Sequence, residues 1–343
     1  MAAKLRAGLI GCGFYAQNHL HAWRDLGAEV ELAAVCDTDT DKAKAAATKF
    51  AVPKAYGDAA EMLKAERLDF VDIVTTMPSH RVLVLLAAAH RTPVIVQKPF
   101  APTWHDCVEM VEACEKAGVQ LMVHENFRYQ SPMREVRRII ESGAIGDVAW
   151  ARINWRTAYD IYAGQPYLAK ETRFILLDIG VHTLDLARVF LGEVERVYCE
   201  AQSLKPGIAG EDAATVTLRH RSGAVSVVDF SYAARRDPDP FPETLLEIEG
   251  RRGSLILSPG LELTLHSDGR TTKRSLRTPT LPWTSEPWHV SQESVLNTQR
   301  HWVECFKSGR EPDTSGRDNL KTYALVEAAY ESAATQQAVW PKL

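Results

Sequence analysis

The feature that most constrains this chain lies near its start. Gly11-Cys12-Gly13-Phe14-Tyr15-Ala16 stands between a short apolar run, Leu5 to Ile10, and a helical pattern that reaches about Leu26. Strand, glycine turn and helix in that order form the opening of a dinucleotide-binding unit. Gly11 permits the tight turn. Gly13 lets the backbone approach a pyrophosphate, and Ala16 is small enough for the helix to pack against the strand. The N-terminus of that helix would present unpaired N–H groups to phosphate oxygens.

The rhythm that follows sets the fold class. Strand patterns at Glu29 to Cys36, Phe70 to Thr75, Pro93 to Gln97 and Gln120 to His124 alternate with helical patterns. The helices are read at Asp39 to Phe50, Tyr56 to Ala65, Ser79 to Ala89 and Trp104 to Ala117. Such alternation predicts an α/β domain with a mostly parallel sheet and helices on both faces. Ligands of such sheets bind beyond the carboxyl ends of the strands. The loops after Thr75, Gln97 and Glu125 are therefore where cofactor and substrate contacts are expected. Asp37 follows the second strand, where a carboxylate can accept hydrogen bonds from both ribose hydroxyls and repel a 2′-phosphate. No arginine comes directly after it, so NAD is favoured over NADP. The alternative for Asp37 is an N-cap, since a helix follows.

Near Phe127 the pattern changes. After a helix at Ser131 to Ser142 come alternating runs at Val148 to Arg156, Glu193 to Ala201, Ala213 to Arg219, Ala224 to Ala233, Leu245 to Glu249, Ser254 to Leu257 and Glu262 to Ser267. These predict a large, mostly antiparallel open sheet with one covered face; the other is either wet or a subunit contact. One helix, Asp178 to Arg188, interrupts it and sets Asp178 and His182 four residues apart, on one face. Gly164 to Lys170 reads as loop, as does Thr278 to His289 with Pro279, Pro282 and Pro287. Helices from about Gln292 to Lys307 and Asp318 to Ala338 complete the pattern. The expected division is a cofactor domain over 1–125 and a substrate and oligomerisation domain over 126–343, whose last helices can return to the first domain.

Oxidising an alcohol by hydride transfer needs a base for the hydroxyl proton, a group that stabilises the developing alkoxide, and a fixed geometry. His182 is the candidate base and Lys98 the electrostatic partner, with Asp178 positioning the site or binding a neighbouring hydroxyl. From spacing alone, His182 reads rather as a satisfied structural histidine and Lys98 as a solvated lysine. His80, His124, His289 and His301 lack metal-ligand spacing, so no metal is expected. The six cysteines form no CxxC pair and read as reduced, mostly buried thiols. A formal net charge of −4 argues against nucleic acid. No apolar run approaches the ~18 residues of a membrane span. The apolar start leads straight into the glycine turn rather than a cleavage site, so the expectation is a cytoplasmic enzyme.

Four segments, taken in order, resemble the glucose-fructose oxidoreductase / inositol dehydrogenase (Gfo/Idh/MocA) family. They are the GxGxxA turn, Gln97-Lys98-Pro99, ENFRY at Glu125 to Tyr129, and DIGVH at Asp178 to His182. The resemblance implies a Rossmann domain followed by an α/β domain with a large sheet, and a homodimer or homotetramer formed through that sheet. It assigns Lys98, Asp178 and His182 to catalysis. Cofactor contacts would come from Gly11, Gly13, Phe14, Tyr15, Asp37, Thr76, Met77, His80, Gln97, Lys98 and Asn126. A pocket for a small sugar or polyol, lined from both domains, would use Arg128, Trp155, Arg156, Tyr159 and Arg173 besides Asp178 and His182. For Trp155 a sheet core or interface role stays open. Gln97 departs from the family's usual glutamate and removes a charge beside Lys98. The run QKPFAP at 97–102 resembles a branch whose members oxidise D-apiose to its lactone with NAD. Oxidation of inositol or another aldose, and a non-catalytic NAD-binding regulator, are the alternatives.

Overall fold

Short apolar runs form the first sheet: β1 (Leu5–Ile10), β2 (Val30–Cys36), β3 (Lys54–Tyr56), β4 (Phe70–Ile73), β5 (Val94–Gln97) and β6 (Leu121–His124). The computed structural model describes residues 3–278 and 280–342, so Pro279 of the Thr278 to His289 loop lies outside the described residues. The order is β3-β2-β1-β4-β5-β6, and every neighbouring pair is parallel. All residues of β4, β5 and β6 are buried, as strands covered on both faces require. This is the expected doubly wound architecture, with the carboxyl ends of the strands along one edge.

The helix read from Tyr56 begins instead at Ala59, where Asp58 caps it by accepting from the Glu61 N–H at 2.9 Å. Lys54–Tyr56 pairs with β2 as an edge strand. It is too short and too exposed to show alternation. The cap of the preceding helix, Thr40–Phe50, is Asp39, which accepts from the N–H groups of Asp41 and Lys42. Asp37 is therefore not the cap, and its carboxylate is left for the glycine turn.

The second sheet contains β7 (Val148–Arg156), β8 (Val194–Gln202), β9 (Ala213–His220), β10 (Val225–Ser231), β11 (Leu245–Gly250), β12 (Gly253–Ser258), β13 (Glu262–Ser267) and β14 (Arg270–Ser275). Their order is β14-β13-β12-β11-β7-β10-β9-β8. The pairs are antiparallel except β7 with β10, which run parallel. The mostly antiparallel sheet is thus as expected. β14 carried no sequence signal because all its residues, RTTKRS, are exposed. It forms through a hairpin at Asp268-Gly269, both at positive φ (50° and 72°), the geometry a two-residue type I′ turn requires.

In β7, Ala151, Ile153 and Trp155 face one side and are buried, while Arg152, Asn154 and Arg156 face the other. Phe230 pairs with Trp155 across the parallel ladder and shares the buried side with Val228. Each such side chain contributes roughly 1.5–3 kcal/mol by leaving water. The helix Val181–Leu191, almost wholly buried, packs on β7 and β10. The chain divides into two compact units: Met1–Asn126 with Ser294–Lys321, and Phe127–Glu293 with Thr322–Leu343. Within the first, Trp302 meets Phe70 edge-on at 5.6 Å, and Asn126 Nδ2 donates to Ser294 Oγ at 2.7 Å. Among the described residues, no helix is long and apolar enough to cross a membrane.

Candidate active site

In the first unit the expected cofactor residues gather at the carboxyl edge of the parallel sheet. Gly11 to Tyr15 follow β1, Asp37 follows β2, Thr76 to His80 follow β4, Gln97 ends β5 and Lys98 follows it, and Asn126 follows β6. Gly11 has φ +97°, and a Cβ there would stand 2.5 Å from the Val74 carbonyl oxygen. Gly13 differs: a Cβ there meets no atom within 4 Å, so protein packing does not explain the glycine. The cradle is open on its ligand side. Asp37 closes the turn from behind, accepting from the N–H groups of Cys12 at 2.7 Å and Asp39 at 2.9 Å. The following helix, Ala16–Asp25, has no side-chain cap at Tyr15 and no acidic residue in its first turn. The partial positive charge of its N-terminus suits a phosphate. Phe14 is 93% exposed beside it.

The loop after β4 turns through Met77–Ser79, with Ser79 Oγ donating to Thr75 Oγ1 at 2.7 Å; Thr76 is exposed and Met77 half-buried. His80 was expected to touch cofactor, but it sits beneath the loops with no exposure. Its Nδ1 faces the carbonyls of Pro99 and Phe100 at 3.0 and 3.1 Å, and its Nε2 faces that of Thr75 at 3.1 Å. Burial pushes its pKa down against the pull of these carbonyls. The neutral ring has one N–H, so it ties either the loop after β5 or the one after β4. Gln97 is buried, accepting the Lys98 N–H on Oε1 at 2.8 Å; Lys98 is half-buried.

In the second unit, Asp178 lies in a π-helical turn, Leu176–Gly180, that runs into the α-helix carrying His182. The pair therefore straddles a change of helical pitch, so the simple α-helical spacing does not set their relative direction. Single π turns recur at functional sites. Glu211 holds the start of this segment, accepting from the N–H groups of Phe174 and Leu176 at 3.1 Å each and from the Tyr330 hydroxyl at 2.6 Å. His182 is 2% exposed and stacks on Phe127, ring centroids 3.8 Å apart and planes 2° apart. The half-buried Asp178 accepts from the Tyr232 hydroxyl at 2.8 Å. Burial first, then the neighbouring Asp178 carboxylate, raises that phenol far above its usual pKa, so it stays a donor.

An aromatic wall continues from Tyr232. Its ring meets Trp155 edge-on at 5.0 Å, Trp155 meets Phe241 at 5.9 Å, and Tyr159 stacks on Phe241 at 4.1 Å. Trp155 Nε1 donates to the Pro242 carbonyl at 3.0 Å. Arg156 is set apart. It projects from the opposite face of β7 and pairs with Asp229 at 3.2 Å, because adjacent strand residues point to opposite sides. Arg128 forms a two-pronged ion pair with the fully buried Asp185, with Nε to Oδ2 at 2.7 Å. Thr322 Oγ1 also donates to Asp185 at 3.0 Å. That arginine anchors the turn at Phe127–Tyr129. Arg173 pairs with Glu327 at 2.5 Å and lies over the Tyr330 ring at 4.2 Å.

Residues 5–125 match the model of an oxidoreductase family with an NAD-binding Rossmann fold, and residues 133–256 match the GFO/IDH/MocA C-terminal domain. This chain belongs to the GFO/IDH/MocA family. It is 51% identical to a D-apiose dehydrogenase of Paraburkholderia graminis over 96% of this chain and 88% of that protein. It is 49% identical to a D-apiose dehydrogenase of Rhizobium rhizogenes over 98% and 97%. A solved oxidoreductase of Agrobacterium radiobacter, in complex with NAD+, L-tartaric acid and magnesium, superposes with a TM-score of 0.96 at 48% identity, covering 98% of each chain.

The chain is accordingly an NAD-dependent oxidoreductase of this family. Its own residues fit the cofactor: the open cradle at Gly13, the uncapped helix behind it and the Asp37 carboxylate at the end of β2. Sequence reasoning missed His19, Asp72, Glu211, Tyr232 and Phe241. Each reaches its partner across a long stretch of chain, 53 residues for His19 to Asp72 and 54 for Tyr232 to Asp178. No local pattern marks such pairs.

Proposed function

We propose that this chain oxidises the branched pentose D-apiose to D-apionolactone, passing a hydride to NAD. The observation that carries this reading is identity of 51% and 49% to two D-apiose dehydrogenases over nearly the whole chain. NAD, when bound, supplies the hydride acceptor. The chain does the rest. The anomeric C–H bond breaks with its electron pair leaving as hydride, the hydroxyl proton leaves, and the lactone carbonyl forms. His182 takes the proton as general base. Lys98 donates to the oxygen on which negative charge develops. Asp178, already fixed by Tyr232, accepts from a neighbouring hydroxyl, and the Trp155–Tyr159–Phe241 wall offers an apolar face to the ring. Buried partners for hydroxyl groups discriminate strongly between sugars.

The test is NADH formation with D-apiose, myo-inositol, D-xylose, D-glucose and D-galactose, each run with NAD and with NADP. The highest kcat/KM is expected for D-apiose with NAD. Preference for myo-inositol or another aldose would replace the substrate and keep the chemistry. Equal efficiency with NADP would remove Asp37 as the selector. No turnover on any sugar would refute the reading.

We further propose that the second sheet joins copies of this chain into a homodimer or homotetramer. Trp150, Val225, Val227 and Ile256 lie half-buried on the face opposite the helix. Among them the buried Asp229 pairs with Arg152 at 2.8 Å and Arg156 at 3.2 Å. An apolar centre bordered by satisfied charges suits a subunit contact. Light scattering should give two or four times the chain mass, and a monomer at micromolar concentration would overturn this.

A further inference from the structure

One backbone N–H fixes the protons of a buried chain of side chains behind Lys98. The Lys98 N–H donates to Gln97 Oε1 at 2.8 Å. Only the amide oxygen can accept it, so the orientation of this amide is determined by the backbone. Its Nε2 is then the atom 2.9 Å from His19 Nε2. An amide nitrogen donates, so His19 Nε2 accepts and carries no proton. The ring's one proton is therefore on Nδ1, which donates to Asp72 Oδ2 at 2.8 Å. Trp23 Nε1 and Gln299 Nε2 converge on the same carboxylate oxygen at 2.7 and 3.3 Å. His19 and Asp72 have no exposure, so bulk water does not compete for the bond between them.

We infer that His19 and Asp72 are positioning residues for Lys98, acting through Gln97, and that this chain of bonds is built for a neutral amide at position 97. The positioning half rests on Lys98 being catalytic; the proton assignment does not. A glutamate at 97 would set a carboxylate oxygen against the bare His19 Nε2, two acceptors facing each other in a dry interior. The balanced alternative needs one more proton at this contact, either on His19, giving an imidazolium between two carboxylates, or on the glutamate as a neutral acid donating to Nε2. The groups facing that ring are Asp72 from β4, Gln97 from β5, the His124 ring of β6 at 4.3 Å and the Tyr15 ring at 5.7 Å, while Gln299 Nε2 reaches the His19 carbonyl at 3.4 Å. The neutral Gln97 thus sets the charge state of a histidine as well as the entry of the Lys98 loop.

The test uses the full-length protein with NAD and ring-15N histidine, followed by NMR. His19 is assigned through the contacts of its ring protons with His124 and Tyr15. Wild type should have a protonated Nδ1 and a bare Nε2 at neutral pH, whereas Gln97→Glu should protonate both. A proton on Nε2 in wild type overturns the assignment, and an unchanged His19 in Gln97→Glu overturns the claim that the neutral amide sets the ring's charge. For positioning, His19→Ala should lower kcat by about 10- to 100-fold, as small misplacements of catalytic groups do, with NADH affinity nearly kept. His19→Gln, whose amide oxygen can accept from Gln97, should recover part of that loss. A wild-type kcat in His19→Ala overturns the positioning role. Wild-type turnover in Lys98→Met would instead remove the catalytic reading of Lys98, and the NMR result would stand apart from it.

Discussion

Replacing His182 with asparagine is expected to lower kcat by about 10²–10⁴-fold, the usual worth of a placed general base. NADH binding should survive, because every candidate cofactor contact lies in the first unit, at the carboxyl edge of its sheet. Asparagine keeps a polar planar group against Phe127, on which His182 stacks at 3.8 Å. It therefore separates loss of a base from loss of packing better than alanine does. The measurements are steady-state kcat at saturating NAD and sugar, NADH affinity by fluorescence, and the melting temperature. Loss of kcat with affinity and Tm retained identifies the base. Parallel loss of all three would make His182 a structural histidine held by its burial, and near-normal turnover would remove it from the reaction. The acid limb of the kcat/KM pH profile should also vanish in the variant, since protonation of the base no longer limits the rate.

The architecture was readable wherever a residue's role is set by its near neighbours in sequence. The glycine turn needs Gly11 for a φ of +97° and leaves Gly13 open, both consequences of six consecutive residues. β7 alternates buried and accessible positions along its length, so its bounds were read directly. Two of the four edge strands escaped the reading, because pairing on one side asks little of their side chains. β14 is exposed throughout and β3 is three residues long, whereas β6 and β8 carry buried positions and were read. Asp37 and Asp39 illustrate a competition. Both carboxylates sit between strand and helix, and only geometry assigns Asp39 to the helix cap and Asp37 to Cys12. The partners of the arginines were hidden for a different reason. A charged residue in a loop or strand reads as a ligand donor until its partner is known. Arg128 finds Asp185 across 57 residues. Arg156 could have been separated from Trp155 by parity alone, since neighbours in a strand face opposite sides.

Replacing Lys98 with methionine is expected to cost about 10²–10³ in kcat, the scale for removing one donor aimed at a developing oxyanion. Methionine keeps the apolar stem, so packing of the half-buried side chain changes little. The backbone N–H that donates to Gln97 is untouched, so the buried chain behind it persists and the variant isolates the ammonium. Arginine would retain charge but carries a planar, wider head; partial recovery in Lys98→Arg would mark charge as the main contribution and no recovery would mark placement. The double variant decides whether Lys98 and His182 serve one step. Groups that act on the same transition state are strongly non-additive, because once the first is lost the second has little left to assist. The double variant should then be about as slow as the worse single variant. Losses that multiply would mean independent contributions, with the lysine acting on binding or on another step, whereas a fully active Lys98→Met would leave a solvated lysine at the end of β5 and His182 without its electrostatic partner.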